Sequence, residues 1–513
     1  MDIERADRRG FSRRAFLLGA LGATTASVLA ACAQPAATPT TAPAAPTTAA
    51  AKPAAPAASP AAAASPSAAA SPAAAAASPK PAASPAAAAS PAASPAAAGG
   101  TAFTLNNPPA VANATAAKAF ASQKVTYYGD GVGIGNDIDK ALANRFQQDT
   151  GIAVTVIPRP QSATDTFAQY QRFFQGQSAD IDVLMVDVIW PGSLATHLVD
   201  LGPKLGDAAK QHYQGIVDNN TVNGALVGIP WFGDFGMLYY RTDLLQKYSI
   251  SAPPKTWDEL EQQATKIVDG EKGANPNFSG FVYQGNAYEG LTCDALEWLA
   301  SSGGGLMIDS SNKATINNPQ AVAILNKMKG WVGTVSPRGV TSYQEEEARN
   351  AFQGGNAAFM RNWPYAYANG QKDDSPVKGK FDVAPLPAQS GSKPSGTVGG
   401  WQLSVSKYSK AIDASIEFVR YAASPEVQTY RAVVGTYVPT IQAVADRPEV
   451  VTTMPFLKNL SSVERVTRPS RALGERYNEG STAIFQGVNQ VLNGQDASAV
   501  LPNVQRQLER LLG

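Results

Sequence analysis

Downstream of Lys124 the apolar and polar positions alternate with two different periods. "KVTYY" (124–128) and "IAVTVIP" (152–158) read as strands. Between them, "IDKALANRFQQDTG" puts Ile138, Ala141, Leu142 and Phe146 on one helical face. Asp137 before it and Gly151 after it read as caps. The apolar run "DVLMV", followed by Asp187, has the continuous pattern of a strand buried on both faces. Strand and helix in alternation predict a parallel, doubly wound sheet. Later stretches are mostly helical. Thr256 and Glu259 form a capping box, "EGLTCDALEWLASSGGG" is a helix stopped by glycines, and Pro319 opens another helix at a permitted position. The stretch 409–433 divides into two helices at Ser424-Pro425, and "DASAVLPNVQRQLERLL" closes the chain as an amphipathic helix. Roughly 390 residues of this kind predict two α/β lobes with a ligand cleft between them.

The first hundred residues follow other rules. Arg13 and Arg14 precede the apolar run "AFLLGALGATTASVLAA", the layout of an export signal, and the paired arginines resemble a twin-arginine signal. The run ends in Leu29-Ala30-Ala31-Cys32, which resembles a bacterial lipobox. Residues 1–32 are therefore expected to be a lipoprotein signal, with Cys32 lipidated and anchored to the outer face of the cell membrane. Residues 33–100 are almost entirely Ala, Pro, Ser and Thr. They cannot bury enough apolar surface to offset their ordering entropy and read as a tether, expected to run to residue 123.

Charge and composition narrow the function further. Lys and Arg number 42 and Asp and Glu 41, a net charge of +1, which leaves no electrostatic footprint for nucleic acid. His197 and His212 are the only histidines, so a His-rich metal site is not expected. "GDGVGIGN" lacks the Lys-Ser/Thr ending of a phosphate loop. No cofactor is indicated, and Cys293, inside a helix, reads as a small buried hydrophobe.

Aromatics are concentrated in "MRNWPYAYANGQ" (360–371). A sugar presents flat C–H faces that suit aromatic rings and hydroxyls that pair best with ionised groups. This stretch, with "DVIWPGSLATHLVDL" (187–201), "GIPWFGDFGMLYYRTDLLQKY" (228–248), "FQGGNAAFMRNWPYAY" (352–367) and "GTVGGWQLSVSKYS" (396–409), resembles the extracellular solute-binding proteins (family 1) of ABC sugar importers. Within them the chain is most similar to the trehalose/maltose-binding group. The resemblance implies a periplasmic-binding-protein type II-like fold whose two lobes cross over at a hinge. Lobe one would be 124–232 plus 388–425, and lobe two 233–387 plus 426–513. It implies hinge closure on ligand, permease subunits as partners and a monomeric protein.

The resemblance also implies site residues. Trp363 and Tyr365 would line the sugar site, with core packing as the alternative. Asp187 would bind hydroxyls, or serve as a cap or ion-pair partner. Phe232 and Asp234 match an aromatic, often Tyr, and an acid; a Phe keeps the stacking and loses the hydroxyl. Gly399 and Gly400 would let backbone amides approach, with Trp401 as a second platform. Arg468, before a proline, would reach the ligand from lobe two. Tyr288 and Glu289 are candidates too, although Glu289 also suits a helix start. Asp137 is equally a ligand contact or an N-cap. The resembled group carries an arginine on the helix after "TDT"; here that helix reads "FAQYQRFFQGQ", and Arg172 is the available substitute. The leading expectation is capture of a disaccharide such as trehalose or maltose. A glycosidase using Asp187 and Asp234 as its carboxylate pair, an adhesive lipoprotein and a binder of a non-sugar solute stand as alternatives.

Overall fold

Two sheets carry the fold in the computed structural model, which describes residues 103–513. The export signal, Cys32 and the Ala/Pro-rich stretch to residue 102 lie outside the described residues. A two-residue hairpin at 221–226 aside, the strands in chain order are β1 (Lys124–Gly129), β2 (Ala153–Pro158), β3 (Val183–Asp187), β4 (Ile229–Phe235), β5 (Met237–Arg241), β6 (Ser279–Val282), β7 (Ala357–Asn362), β8 (Phe381–Ala384), β9 (Ser395–Val405) and β10 (Glu464–Val466).

The first sheet runs β10-β9-β3-β1-β2, with β4 also paired to β9. Strands β1, β2 and β3 are parallel, as the alternating pattern predicts, with Lys124 opposite Ala153 and Tyr127 opposite Val183. Strand β9 departs from that expectation: it is antiparallel to both β3 and β4, with Trp401 opposite Asp187 and Gly400 opposite Gly233. It returns from the second sheet rather than through a crossover helix, so nothing requires it to run parallel to its neighbours. The second sheet runs β8-β5-β7-β6. This first sheet includes Phe235 and Glu464–Val466, segments that the sequence reading placed in lobe two.

Helix Gly135–Thr150 shows how local pattern becomes core. Ile138, Leu142 and Phe146 are fully buried, and Phe146 packs on the rings of Phe418 and Tyr421. Each such side chain contributes about 1.5–3 kcal/mol. Gly151 closes the helix at φ +85°. The start differs from the sequence reading. The helix begins at Gly135, where a Cβ would lie 2.3 Å from the Asp130 carboxylate, and Asp137 falls in the first turn instead of capping it. The Thr256–Glu259 capping box forms as read, and the chain divides into two helices at Ser424-Pro425, where the Ser424 side chain caps the second.

Order begins before Lys124. Residues 103–123 lie on the body, where Tyr421 and Tyr430 donate hydrogen bonds to the carbonyls of Pro109 (2.7 Å) and Leu105 (2.8 Å). These anchors are single side-chain-to-backbone contacts, which leave no periodic trace in the segment they hold.

The chain crosses from β4 to β5 through Gly236 alone. A Cβ there would sit 1.9 Å from Glu297 Oε1. Glu297 accepts from Arg361 at 2.6 and 2.8 Å, and its Oε1 also accepts from the Thr397 amide of β9 at 3.0 Å. One buried ion pair of the second sheet's side therefore fixes a strand of the first beside the crossover. Glu297→Ala is expected to lower the unfolding free energy by about 3–5 kcal/mol, because Arg361 is left buried with a weakened partner set. Asp207→Ala, which breaks an exposed pair with Lys210, should cost little. Urea unfolding of both variants checks this, and equal small losses would show that the pair does not hold the crossover.

Candidate functional site

A cleft between the two sheets is lined by side chains from both. The first sheet supplies Asp187 at the end of β3, Phe232 and Asp234 on β4, and Gly399, Gly400 and Trp401 on β9. From the second sheet's side come Trp363 and Tyr365 just after β7, Glu289 at the start of helix Glu289–Ser301, and Glu345 at the start of helix Glu345–Gln353. Arg468 follows β10. The cavity among these groups measures about 60 Å³.

Arg468 is the electrostatic centre. Its guanidinium donates to Asp187 at 2.8 and 3.4 Å and to Glu289 at 2.9 Å, and all three residues are buried. Glu289 also accepts from the hydroxyls of Tyr477 and Ser481. Burial pushes the Glu289 carboxyl above its ordinary range, against the opposing pull of Arg468. The Arg468 Nε is buried without a hydrogen-bond partner, as is the Nε of Arg159, which also lines the cleft.

The aromatic faces are rigidly backed. The Arg361 guanidinium lies 3.8 Å from the Trp363 ring centroid. Arg361 does not line the cleft, so it covers the rear face of the ring. Trp363 Nε1 donates to Glu345 at 3.4 Å, and Tyr365 donates to Glu346 at 2.6 Å. Arg159 stacks on Trp401 at 4.1 Å, and Trp190 meets the same ring edge-on. Phe232 packs edge-on against Tyr437. Both paired glycines of β9 are required here. A Cβ on Gly399 would press on Trp363 and Asp234 at 3.2 Å, and Gly400 has φ +120°, a conformation that other residues adopt only under strain.

Most predicted residues meet in this cleft, but Asp137 and Tyr288 do not line it. Asp137 is exposed on the outer side of its helix; the acid that reaches the cleft from the same glycine-rich stretch is Asp130. Asp130 is fully buried and accepts from the Tyr437 hydroxyl at 2.7 Å. Tyr288 stands one layer back and orients Glu345 through a 2.7 Å hydrogen bond. Arg172 is exposed, and Arg159 is the arginine that lines the cleft. Cys293, read as a buried hydrophobe, is buried and borders the cleft. Glu345 and Tyr437 were missed because "QEEEA" looks like an ordinary acidic first turn and "GTYVP" like a loop.

Two α/β halves closing on a cleft of aromatic faces and paired charges define a solute-binding protein of the hinged, two-lobed class. The family model for bacterial extracellular solute-binding proteins matches residues 134–429, and the chain belongs to that family. A probable ABC transporter-binding protein of Deinococcus radiodurans is 47% identical over 412 residues, covering 79% of this chain and 98% of that one. The structure of maltose-bound MalE3 from T. maritima superposes with a TM-score of 0.72 at 39% identity, covering 76% of this chain and all of that one. A probable amino-acid ABC transporter periplasmic-binding protein of Sinorhizobium fredii is 24% identical over 360 residues, 67% of this chain and 78% of that one. The protein is thus a solute-binding protein of ABC transporters, and its place is outside the cytoplasm.

Behind the cleft, Asp139 is fully buried, and burial raises its carboxyl to about 7. A folded-state value above the unfolded one favours the native state while the group is protonated. That contribution is complete below about pH 4 and is lost as pH rises to about 7. At 1.36 kcal/mol per unit the swing is on the order of 4 kcal/mol. Asp139→Asn is expected to flatten the stability–pH profile between about pH 4 and 7, measured by urea unfolding across that range. An unchanged slope would remove Asp139 as its source.

Proposed function

We propose that this chain is a membrane-tethered lipoprotein that captures a sugar, a disaccharide such as trehalose or maltose, and hands it to the permease subunits of an ABC importer. The observation that carries this reading is the pairing, in one cleft, of aromatic faces with charged hydrogen-bonding groups. Trp363, Trp401 and Phe232 offer surfaces to the C–H faces of a pyranose. Asp187, Asp234, Glu289, Glu345 and Arg468 offer acceptors and donors to its hydroxyls. The 39% identity to a protein whose structure holds maltose supports the same cargo class. The lipid anchor rests on the Leu-Ala-Ala-Cys sequence ending at Cys32, and the alanine- and proline-rich stretch after it would act as the spacer.

In this scheme the open lobes expose the ring faces, a sugar docks on one lobe, and hinge closure brings Trp363, Tyr365 and Arg468 onto it. The Arg468–Asp187 pair then links β3 to the segment after β10 around the bound ligand.

Titration calorimetry of the whole chain in detergent, against trehalose, maltose, sucrose, maltodextrins and monosaccharides, tests this. Micromolar or tighter binding to one disaccharide is expected. Trp363→Ala should weaken it by about 2 kcal/mol or more, roughly 30-fold in Kd. Silence across the panel from a folded sample would turn the family fold to another solute, and release of glucose from any of these sugars would mark an enzyme instead.

A further inference from the structure

Five carboxylates and two guanidinium groups line the cleft, and two of the carboxylates stand apart from both cations. Arg468 is matched by Asp187 and Glu289, and Arg159 lies 3.5 Å from Asp130. Asp234 and Glu345 have no cation of their own. Asp234 Oδ1 is buried with no hydrogen-bond partner at all. Glu345 accepts only from neutral donors, the Tyr288 hydroxyl and the Trp363 indole. The nearest other guanidinium groups do not line the cleft. Arg361 is held by Glu297 and Asp294. Arg431 is stacked among Trp231, Phe232 and Tyr437 with no hydrogen-bond partner, and acts on Asp234 only through its charge.

We propose that the cleft binds sugars carrying a basic nitrogen more tightly than their neutral parents, and excludes phosphorylated or carboxylated ones. This rests on the sugar-binding reading above. A neutral hydroxyl can satisfy one oxygen of Asp234 but brings no charge. A protonated amine brings several donors and a positive charge, and a hydrogen bond between two ionised groups is roughly twice as strong as a neutral one. An anionic group would meet both unmatched carboxylates in a site shielded from water, where like charges repel most strongly. Burial, and next the charge of Asp130, hold the Asp234 carboxyl well above its ordinary range.

The test is calorimetry with three matched compounds on each of the glucose, maltose and trehalose scaffolds: the neutral sugar, its 2-amino-2-deoxy analogue and its 6-phosphate. The amine is expected to bind about tenfold or more tighter than its neutral parent. The phosphate is expected to bind about 100-fold more weakly, or not at all. Asp234→Asn should bring the amine-to-neutral ratio close to one; if that variant does not fold, Glu345→Gln should reduce the ratio. Neutral sugars that bind with no amine advantage, or phosphates that bind as well as their parents, would overturn this inference and leave the sugar reading intact. No binding by any compound would overturn the sugar reading, and this inference with it.

Discussion

A guanidinium charge buried between two halves of a protein must be answered on both sides, and Arg468 imposes that condition here. Its partners come from different structures: Asp187 ends a strand of the first sheet, and Glu289 begins a helix on the side of the second. Removing Arg468 leaves two carboxylates without their cation in a place shut off from water, which costs several kcal/mol. The relative position of the two halves is therefore set by charge as much as by packing. The glycines of β9 serve the same end, since a Cβ at Gly399 would press on the Trp363 ring at 3.2 Å.

The aromatic residues of the cleft share one construction. Trp363 has Arg361 behind it, Trp401 has Arg159 against it, and Phe232 shares Arg431 with Trp231 and Tyr437. A guanidinium stacks on a ring face while its edge hydrogen-bonds to a carboxylate, so it couples a neutral ring to a charge network. Arg361 does both: its face covers Trp363 and its nitrogens meet Glu297 beside the Gly236 crossover. The ring that faces the ligand and the point where the chain changes sheet are thus fixed by one side chain.

What the sequence discloses is mostly what repeats or caps. The face of Ile138, Leu142 and Phe146, the Thr256–Glu259 box and the strand ending at Asp187 are local patterns, and each appears where the pattern puts it. The antiparallel course of β9 is not local, because it depends on where a strand far along the chain is returned by the other sheet. The site divides the same way. Residues in long characteristic stretches, such as Trp363, Gly400 and Trp401, could be singled out by resemblance. The choice of Asp130 over Asp137 turned on a helix start set by Gly135, and the choice of Arg159 over Arg172 on which arginine points inward. Neither is written in spacing. The Leu105 and Pro109 anchors are likewise invisible, because the tyrosines that hold them lie more than three hundred residues away.

Bringing the two halves together over the cleft buries polar groups that a ligand can satisfy. Asp234 and the Nε groups of Arg159 and Arg468 are buried without partners, and each unmet group opposes closure by about 1–3 kcal/mol. In the open form water would satisfy all of them. Closure without cargo is thus penalised by the same atoms that recognise cargo. A solute that fills these positions removes the penalty and adds its own contacts, so its affinity for the closed form exceeds that for the open one, which is the sole basis on which a ligand shifts such an equilibrium. On the proposed reading, the polar groups left unpaired in the cleft would make closure report occupancy, so that a partner reading only the closed shape would be told that a solute is inside.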